Sequence, residues 1–188
     1  TVTTIFPAAP DADTKVIFFF HGLMDSGHGS PSSIFASSFG LQDVADELNA
    51  IIILPESNVW ELLGFSFYLW DVEDGTFDND VTLYDDLRAC VYDQFQPNMD
   101  KVFSMGFSGG GLFTTIITSQ RGDTLAGAIE MSGGADIDTG FLDGVVAPYD
   151  TPANSVPVYL TSGGENDVWP STQLVIVNFE EGTDTLSL

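Results

Sequence analysis

The sequence predicts one α/β domain in which helices cover both faces of a mostly parallel sheet. Short apolar runs alternate along the chain with segments whose apolar residues recur at helical spacing. Such alternation is typical of parallel strands joined by right-handed crossovers. Hydrophobic residues make up 44% of the 188 residues, which is enough for the core of a single domain. We therefore expect residues 1–188 to form one three-layer sandwich that binds its ligands at the carboxyl ends of the strands.

Five apolar runs carry the predicted parallel strands. They are residues 15–20, 50–54, 101–105, 125–132 and 156–162. Runs of this kind are typical of strands that are buried on both faces. Helical periodicity marks three further segments, residues 39–49, 80–95 and 110–120. The aromatic-rich stretch that follows Pro55 is predicted to be a long loop.

The chain is strongly acidic, with four basic residues against 28 acidic ones and a net charge of −24. Phosphate contacts need clustered cations, so this composition argues against partners such as nucleic acid or anionic membranes. The negative field favours neutral or cationic substrates. No apolar run reaches the roughly 18 residues that a membrane span needs. We expect a secreted or extracellular protein, the alternative being a cytoplasmic protein of a salt-adapted organism.

No metal or other cofactor is expected. The alternative is a calcium ion held by an acidic cluster, although this cluster lacks the spacing and the sixth-position glycine of a calcium-binding EF-hand loop. Its members are Asp71, Glu73, Asp74, Asp78 and Asp80. Cys90 is the only cysteine, so no intrachain disulfide can form, and its helical context predicts a packing residue. The oligomeric state stays open.

A serine lies between glycines where a predicted strand gives way to a predicted helix, in Gly106-Phe107-Ser108-Gly109-Gly110. A strand that turns directly into a helix strains its apex residue, and the positions two before and two after it must be small. The apex hydroxyl is then exposed beside a helix N-terminus, which favours developing negative charge. The pattern predicts that Ser108 is a nucleophile, with a purely structural turn as the alternative.

The loop after the first buried strand begins with His21, Gly22 and Leu23. Its backbone fits a loop that donates an N–H group to an oxyanion, and the N–H of Gly109 is the second predicted donor. Gly22 lets this backbone pass close to a substrate. His21 and Gly22 are therefore predicted to line the substrate site, with His21 bracing the loop rather than acting as a base.

Acidic side chains follow the later predicted strands. Asp167 is expected to orient a catalytic imidazole, with Glu165 in reserve and Asp136 as a weaker candidate. The alternative for each is a solvated side chain. Among the aromatic residues, Trp70 and Trp169 are predicted to form walls of the substrate groove.

Together these motifs resemble the α/β-hydrolase fold, and more narrowly the polyhydroxybutyrate-depolymerase and feruloyl-esterase-like carboxylesterases. The resemblance runs from about Ile17 to the C-terminus. It is carried by HGLMDSG, WDVEDG, YDDLRACVYDQF, KVFSMGFSGGGLFTT, EMSGG and SGGENDVWP. It implies a serine carboxylesterase that forms an acyl-enzyme on Ser108, with Asp167 as the triad acid and Leu23 and Gly109 as the oxyanion donors. The implied substrates are neutral esters, aromatic esters and polyesters among them.

The histidines depart from the pattern of this family. In the α/β-hydrolase fold the triad runs serine, acid, histidine along the chain. Here His21 and His28 both precede Ser108, and no histidine follows Asp167. We therefore expect a domain that is incomplete at its C-terminus and lacks its last strand and the catalytic histidine. Two alternatives stay open: an inactive relative that serves as a binding or scaffold protein, and His28 as a substitute base.

Overall fold

The computed structural model describes residues 1–62, 64–73, 75–138, 145–152, 154–163, 168–169 and 172–173. The strands are β1 (Val2–Ile5), β2 (Lys15–Phe20), β3 (Met24–Asp25), β4 (Ala50–Pro55), β5 (Asn58–Leu62), β6 (Phe65–Leu69), β7 (Val102–Phe107), β8 (Gly127–Met131), β9 (Ile137–Asp138), β10 (Val145–Val146), β11 (Val158–Thr161), β12 (Val168–Trp169) and β13 (Thr172–Gln173). The helices are α1 (Pro31–Ser38), α2 (Leu41–Leu48), α3 (Asp78–Phe95) and α4 (Gly109–Arg121).

The central sheet contains six strands in the order β1-β4-β2-β7-β8-β11. Only β1, paired with β4, is antiparallel to its neighbour, and the other four pairings are parallel. From β2 the chain moves outward to β4 and then returns to β7 on the opposite side of β2. The carboxyl ends of β2 and β7 therefore flank a topological switch point, which is where open α/β sheets bind their ligands.

Alternating side chains of the buried strands pack on opposite faces of the sheet. On β2, Phe18 and Phe20 belong to the core that contains the apolar residues of α3 and α4. Ile17 and Phe19 belong to the second core, which contains Ala45 of α2 and the partly buried Phe35 of α1. Helices thus cover both faces, and the predicted three-layer α/β architecture is confirmed.

The aromatic stretch after β4 differs from the prediction of a long loop. It forms an antiparallel hairpin of β5 and β6, with β3 added to the free edge of β6. Gly64, in the turn, has a φ of 82°, which a glycine adopts without strain. Strand β1 and helix α1 were likewise absent from the sequence-based expectation. In the part of the chain that the structure describes, no helix combines the length and apolarity of a membrane span.

Candidate active site

Ser108 occupies the sharp turn between β7 and α4. Its φ of 54° and ψ of −119° lie in a region that residues other than glycine rarely adopt. The backbone N–H of Ser108 donates to the carbonyl oxygen of Met131 at 2.8 Å, which ties the turn to the end of β8. The surrounding structure therefore holds the serine in a strained conformation, as the predicted strand–serine–helix turn requires.

The glycines on either side of Ser108 are required by close backbone contacts. A Cβ on Gly106 would overlap the carbonyl of Gly110, and a Cβ on Gly110 would overlap the carbonyl of Phe20. One on Gly111 would lie 2.9 Å from Cα of Gly133, in the loop after β8. The N-terminus of α4 can therefore sit directly against β2 and the β8 loop only because these positions carry no side chain.

The loop after β2 lies against the serine turn. A Cβ on Gly22 would be 3.2 Å from the Cβ of Ser108 and 3.2 Å from the carbonyl oxygen of Phe107. A Cβ on Gly109 would be 3.5 Å from the backbone nitrogen of Leu23. The backbones of Leu23 and Gly109 thus meet beside Ser108 at the N-terminus of α4, where helical N–H groups lack intrahelical partners. We call this meeting point the α4 corner.

The side chain of His21 supports this loop from inside the protein. Its ring is 2% exposed; Nδ1 donates to the carbonyl oxygen of Gly22 at 2.7 Å, and Nε2 accepts from the N–H of Ser57 at 3.1 Å. Burial lowers the pKa of the imidazole below its usual value. The hydrogen bond to Gly22 and the charge of the nearby Glu56 raise the pKa, but by less than burial lowers it. The ring is therefore neutral and occupied at both nitrogens. The expectation that it lines the substrate site is wrong, because its buried ring braces the loop.

Trp70 is also a buried residue, at 1% exposure. Its ring stacks on Phe113 of α4 with centroids 4.8 Å apart, and its Nε1 donates to the carbonyl oxygen of His21 at 2.9 Å. The predicted role of Trp70 as a groove wall is therefore wrong, because the indole is enclosed by the core. For Trp169 the structure gives only the backbone pairing of β12 with β13, so its predicted role stays a prediction.

The predicted acids have different outcomes. Asp167 and Glu165 lie outside the described residues, and the role of Asp167 stays a prediction. Asp136 is described: its Oδ1 accepts the backbone N–H of Tyr149 at 3.0 Å, so this carboxylate stabilises its own loop. His28 is on an exposed turn, where Nδ1 lies 3.8 Å from Oδ1 of Asp25.

Two members of the acidic cluster are buried beside one another. The backbone N–H of Asp71 donates to Oδ2 of Asp80 at 2.8 Å. Burial, together with the charge of Asp71, raises the pKa of Asp80 to about 6, against the lowering effect of this hydrogen bond. Asp74 lies outside the described residues. Among the described residues, no group of three His, Cys, Asp or Glu side chains is arranged to hold a metal ion.

Sequence reasoning missed two features near Ser108. Glu130 lies on β8 opposite Gly106 in the sheet register and is 6% exposed; its burial raises its pKa to about 7. A single glutamate inside the apolar run Gly127–Met131 was the available sign of a buried carboxyl. The second feature is the hairpin, because Cδ1 of Leu69 lies 4.0 Å from the position of a Cβ on Gly109.

Comparisons with known proteins find similar folds among solved structures. No model of a protein family matches the sequence, and no curated protein does. The structure of native sOPH is 17% identical with a TM-score of 0.68, over 89% of this chain and 64% of that one. Native pOPH is 17% identical with a TM-score of 0.66, over 92% and 65%. An acetyl xylan esterase from Aspergillus awamori is 16% identical with a TM-score of 0.54, over 77% and 52%.

These similarities assign the fold. The chain has the α/β-hydrolase fold, as the sequence resemblance implied. It spans less than two thirds of the length of each of the three structures. Identities this low say nothing further about what the chain binds or converts.

Proposed function

We propose that this protein is a serine hydrolase that cleaves neutral carboxylic esters, with Ser108 as its nucleophile. The observation that carries the proposal is the α4 corner. Ser108 is held in a strained turn, and the backbone of Leu23 approaches that of Gly109 beside it. A strained serine next to two backbone N–H groups is the arrangement that acyl transfer needs.

The proposed reaction uses the chain's own groups and no cofactor. The Ser108 hydroxyl oxygen attacks the ester carbonyl, and its proton passes to a base. The N–H groups of Leu23 and Gly109 bind the oxyanion that forms, and the positive end of α4 adds to its stabilisation. The tetrahedral intermediate collapses, the alcohol leaves with a proton from the base, and water then hydrolyses the acyl-enzyme.

The proposed base is a histidine that follows the acid along the chain and is oriented by Asp167. His21 does not fit this role, because both of its ring nitrogens are engaged in a buried site. No histidine occurs between Asp167 and Leu188, so those residues do not supply this base. His28, on its exposed turn, is the alternative base within this chain.

The preference for neutral substrates follows from charge. With a net charge of −24, the protein repels anionic esters. Exposed apolar side chains flank Ser108, since Leu23 is 51% and Phe107 45% exposed. Neutral aromatic esters or polyesters, and a secreted location, remain part of the proposal. The second candidate is a catalytically inactive binding or scaffold protein, which the position of His21 and His28 favours.

Covalent labelling separates the two candidates. A fluorophosphonate probe is expected to label Ser108, and Ser108→Ala is expected to abolish labelling. Ser38→Ala, at an exposed serine that ends α1, is the matched control and should label like the unmodified protein. The experiment is run on the 188-residue chain and on the full product of its gene. If neither is labelled, the protein is a binding protein; if the 188-residue chain is labelled at full rate, the base lies within it.

A further inference from the structure

One side of the β5–β6 hairpin presents an apolar surface next to the α4 corner. Successive side chains of a strand point to opposite sides, and directly paired residues share a side. Trp60 pairs with Phe67, and Leu69 and Phe65 occupy the same side of β6 as Phe67. Two polar residues border this apolar strip on the same side, Asn58 opposite Leu69 and Asp25 opposite Phe67. We call these four residues, Trp60, Phe65, Phe67 and Leu69, the hairpin face.

The hairpin face begins at the proposed oxyanion donors. Leu69 approaches Gly109, with its Cδ1 4.0 Å from the position of a Cβ on that glycine. Leu23 directly precedes β3, whose Met24 and Asp25 pair with β6. From Leu69 the face extends outward along β6 to Phe65, a length of about 13 Å at roughly 3.3 Å per residue. A substrate carbonyl at the α4 corner therefore lies at one end of this apolar strip.

The outer part of the hairpin face is open to solvent. Trp60 is 46% and Phe65 is 62% exposed. The rings of Phe65 and Phe67 are 6.3 Å apart, which makes them one continuous apolar surface. An exposed aromatic surface of this kind is suited to contact with an apolar ligand.

We propose that the hairpin face binds the acyl chain of the ester and sets a preference for medium-length, unbranched, uncharged acyl groups. This inference rests on the proposed function, because the carbonyl position is taken from the α4 corner. An acyl chain is attached to the carbonyl carbon itself, so it enters the strip directly at Leu69. An anionic chain would meet the carboxylate of Asp25, which pairs with Phe67 on the same side of the sheet, and the overall negative field.

Binding to an inactive variant tests the proposal without turnover. Ser108→Ala protein is titrated with p-nitrophenyl acetate, butanoate and octanoate, and binding is followed by isothermal titration calorimetry. Each methylene that is about half buried should tighten binding about twofold, so octanoate, with four more methylenes, should bind roughly fifteenfold tighter than butanoate. Adding Trp60→Ala and Phe67→Ala should reduce this ratio to about two or less. Acetate, which is too short to reach the outer face, should bind unchanged and thereby report correct folding.

The control is Phe39→Ala in the same Ser108→Ala protein, because Phe39 is an exposed aromatic residue at the end of α1. It should leave the chain-length dependence intact. The proposal would be overturned if affinity depended equally on acyl-chain length with and without the two hairpin substitutions. It would also be overturned if Phe39→Ala abolished the dependence on chain length. These outcomes are separate from a failure of the proposed function. The proposed function fails if Ser108 is not labelled. Binding that still depends on chain length would in that case support the apolar-chain site by itself.

Discussion

Replacing Glu130 by glutamine should change how the stability of this protein depends on pH. Glu130 is buried on β8, and its burial raises the pKa of the carboxyl from 4.5 to about 7, against the lowering effect of the Thr115 hydroxyl. Burial raises the pKa of Tyr149, and the charge of Glu130 adds to that rise. Glu130→Gln keeps the shape of the side chain and removes its titration.

The sign of the effect follows from proton binding. The folded protein holds the Glu130 proton more tightly than the unfolded chain, so stability falls as pH rises from about 4.5 to about 7. One pKa unit corresponds to about 1.4 kcal/mol, so a rise from 4.5 to about 7 corresponds to a cost of about 3 kcal/mol at pH 8. The glutamine variant avoids this cost. Relative to the unmodified protein it should gain little at pH 5 and up to about 3 kcal/mol at pH 8.

Urea unfolding followed by far-UV circular dichroism, at intervals from pH 5 to 8.5, measures this difference. Glu47→Gln at an exposed position of α2 is the matched control and should run parallel to the unmodified protein. A difference between Glu130→Gln and the unmodified protein that is constant with pH would refute the reasoning. So would a glutamine variant that is the less stable protein at pH 8.

Three further outcomes follow from the fold and the charge. Gly110→Ala should lower the free energy of unfolding by at least about 3 kcal/mol, because its Cβ would overlap the carbonyl of Phe20. Gly109→Ala, whose Cβ has room, should change the free energy of unfolding by less than about 1 kcal/mol. Equal losses for the two variants in chemical denaturation would contradict this. The melting temperature should rise between 0.1 M and 1 M sodium chloride. The Debye length falls from about 10 Å to about 3 Å over this range, so salt screens the repulsion among the charges of a chain with a net charge of −24. A melting temperature that stays flat or falls would exclude charge repulsion as a major contribution to stability. Trp70→Phe keeps an aromatic ring stacked on Phe113 but removes the N–H that donates to the carbonyl of His21. It should lower the free energy of unfolding, measured in urea, by about 1 kcal/mol. An unchanged free energy would mean that this hydrogen bond contributes nothing to stability.

Strands β2 and β4 of the central sheet were predictable because they are buried on both faces. A strand such as β2, apolar from Val16 to Phe20, is recognisable from composition alone. The turn at Ser108 was predictable for a steric reason, since its spacing of glycines has few other causes. The hairpin was not predicted, although Gly64 lies between its two strands. The aromatic residues on either side of this glycine were interpreted as part of an irregular loop.

Burial of individual side chains was not predictable from the sequence. Trp60 and Trp70 lie ten residues apart in one aromatic stretch, yet Trp60 is half exposed and Trp70 is enclosed by Phe20 and Phe113. The difference arises from packing between segments that are distant in the chain, which no local pattern encodes. The engagement of Nε2 of His21 has the same origin, because its partner Ser57 is 36 residues away.

The burial of α4 has a consequence for how activity would be lost on heating. Eleven of its thirteen residues are buried, whereas α2 buries one. The amide hydrogens of α4 should therefore exchange with solvent only when the whole domain opens, while those of α2 exchange through local fraying. The turn at Ser108 is anchored to the more protected of these two helices. The geometry of Ser108 should accordingly be lost only when the whole domain unfolds, without an earlier step of local unfolding at the active site.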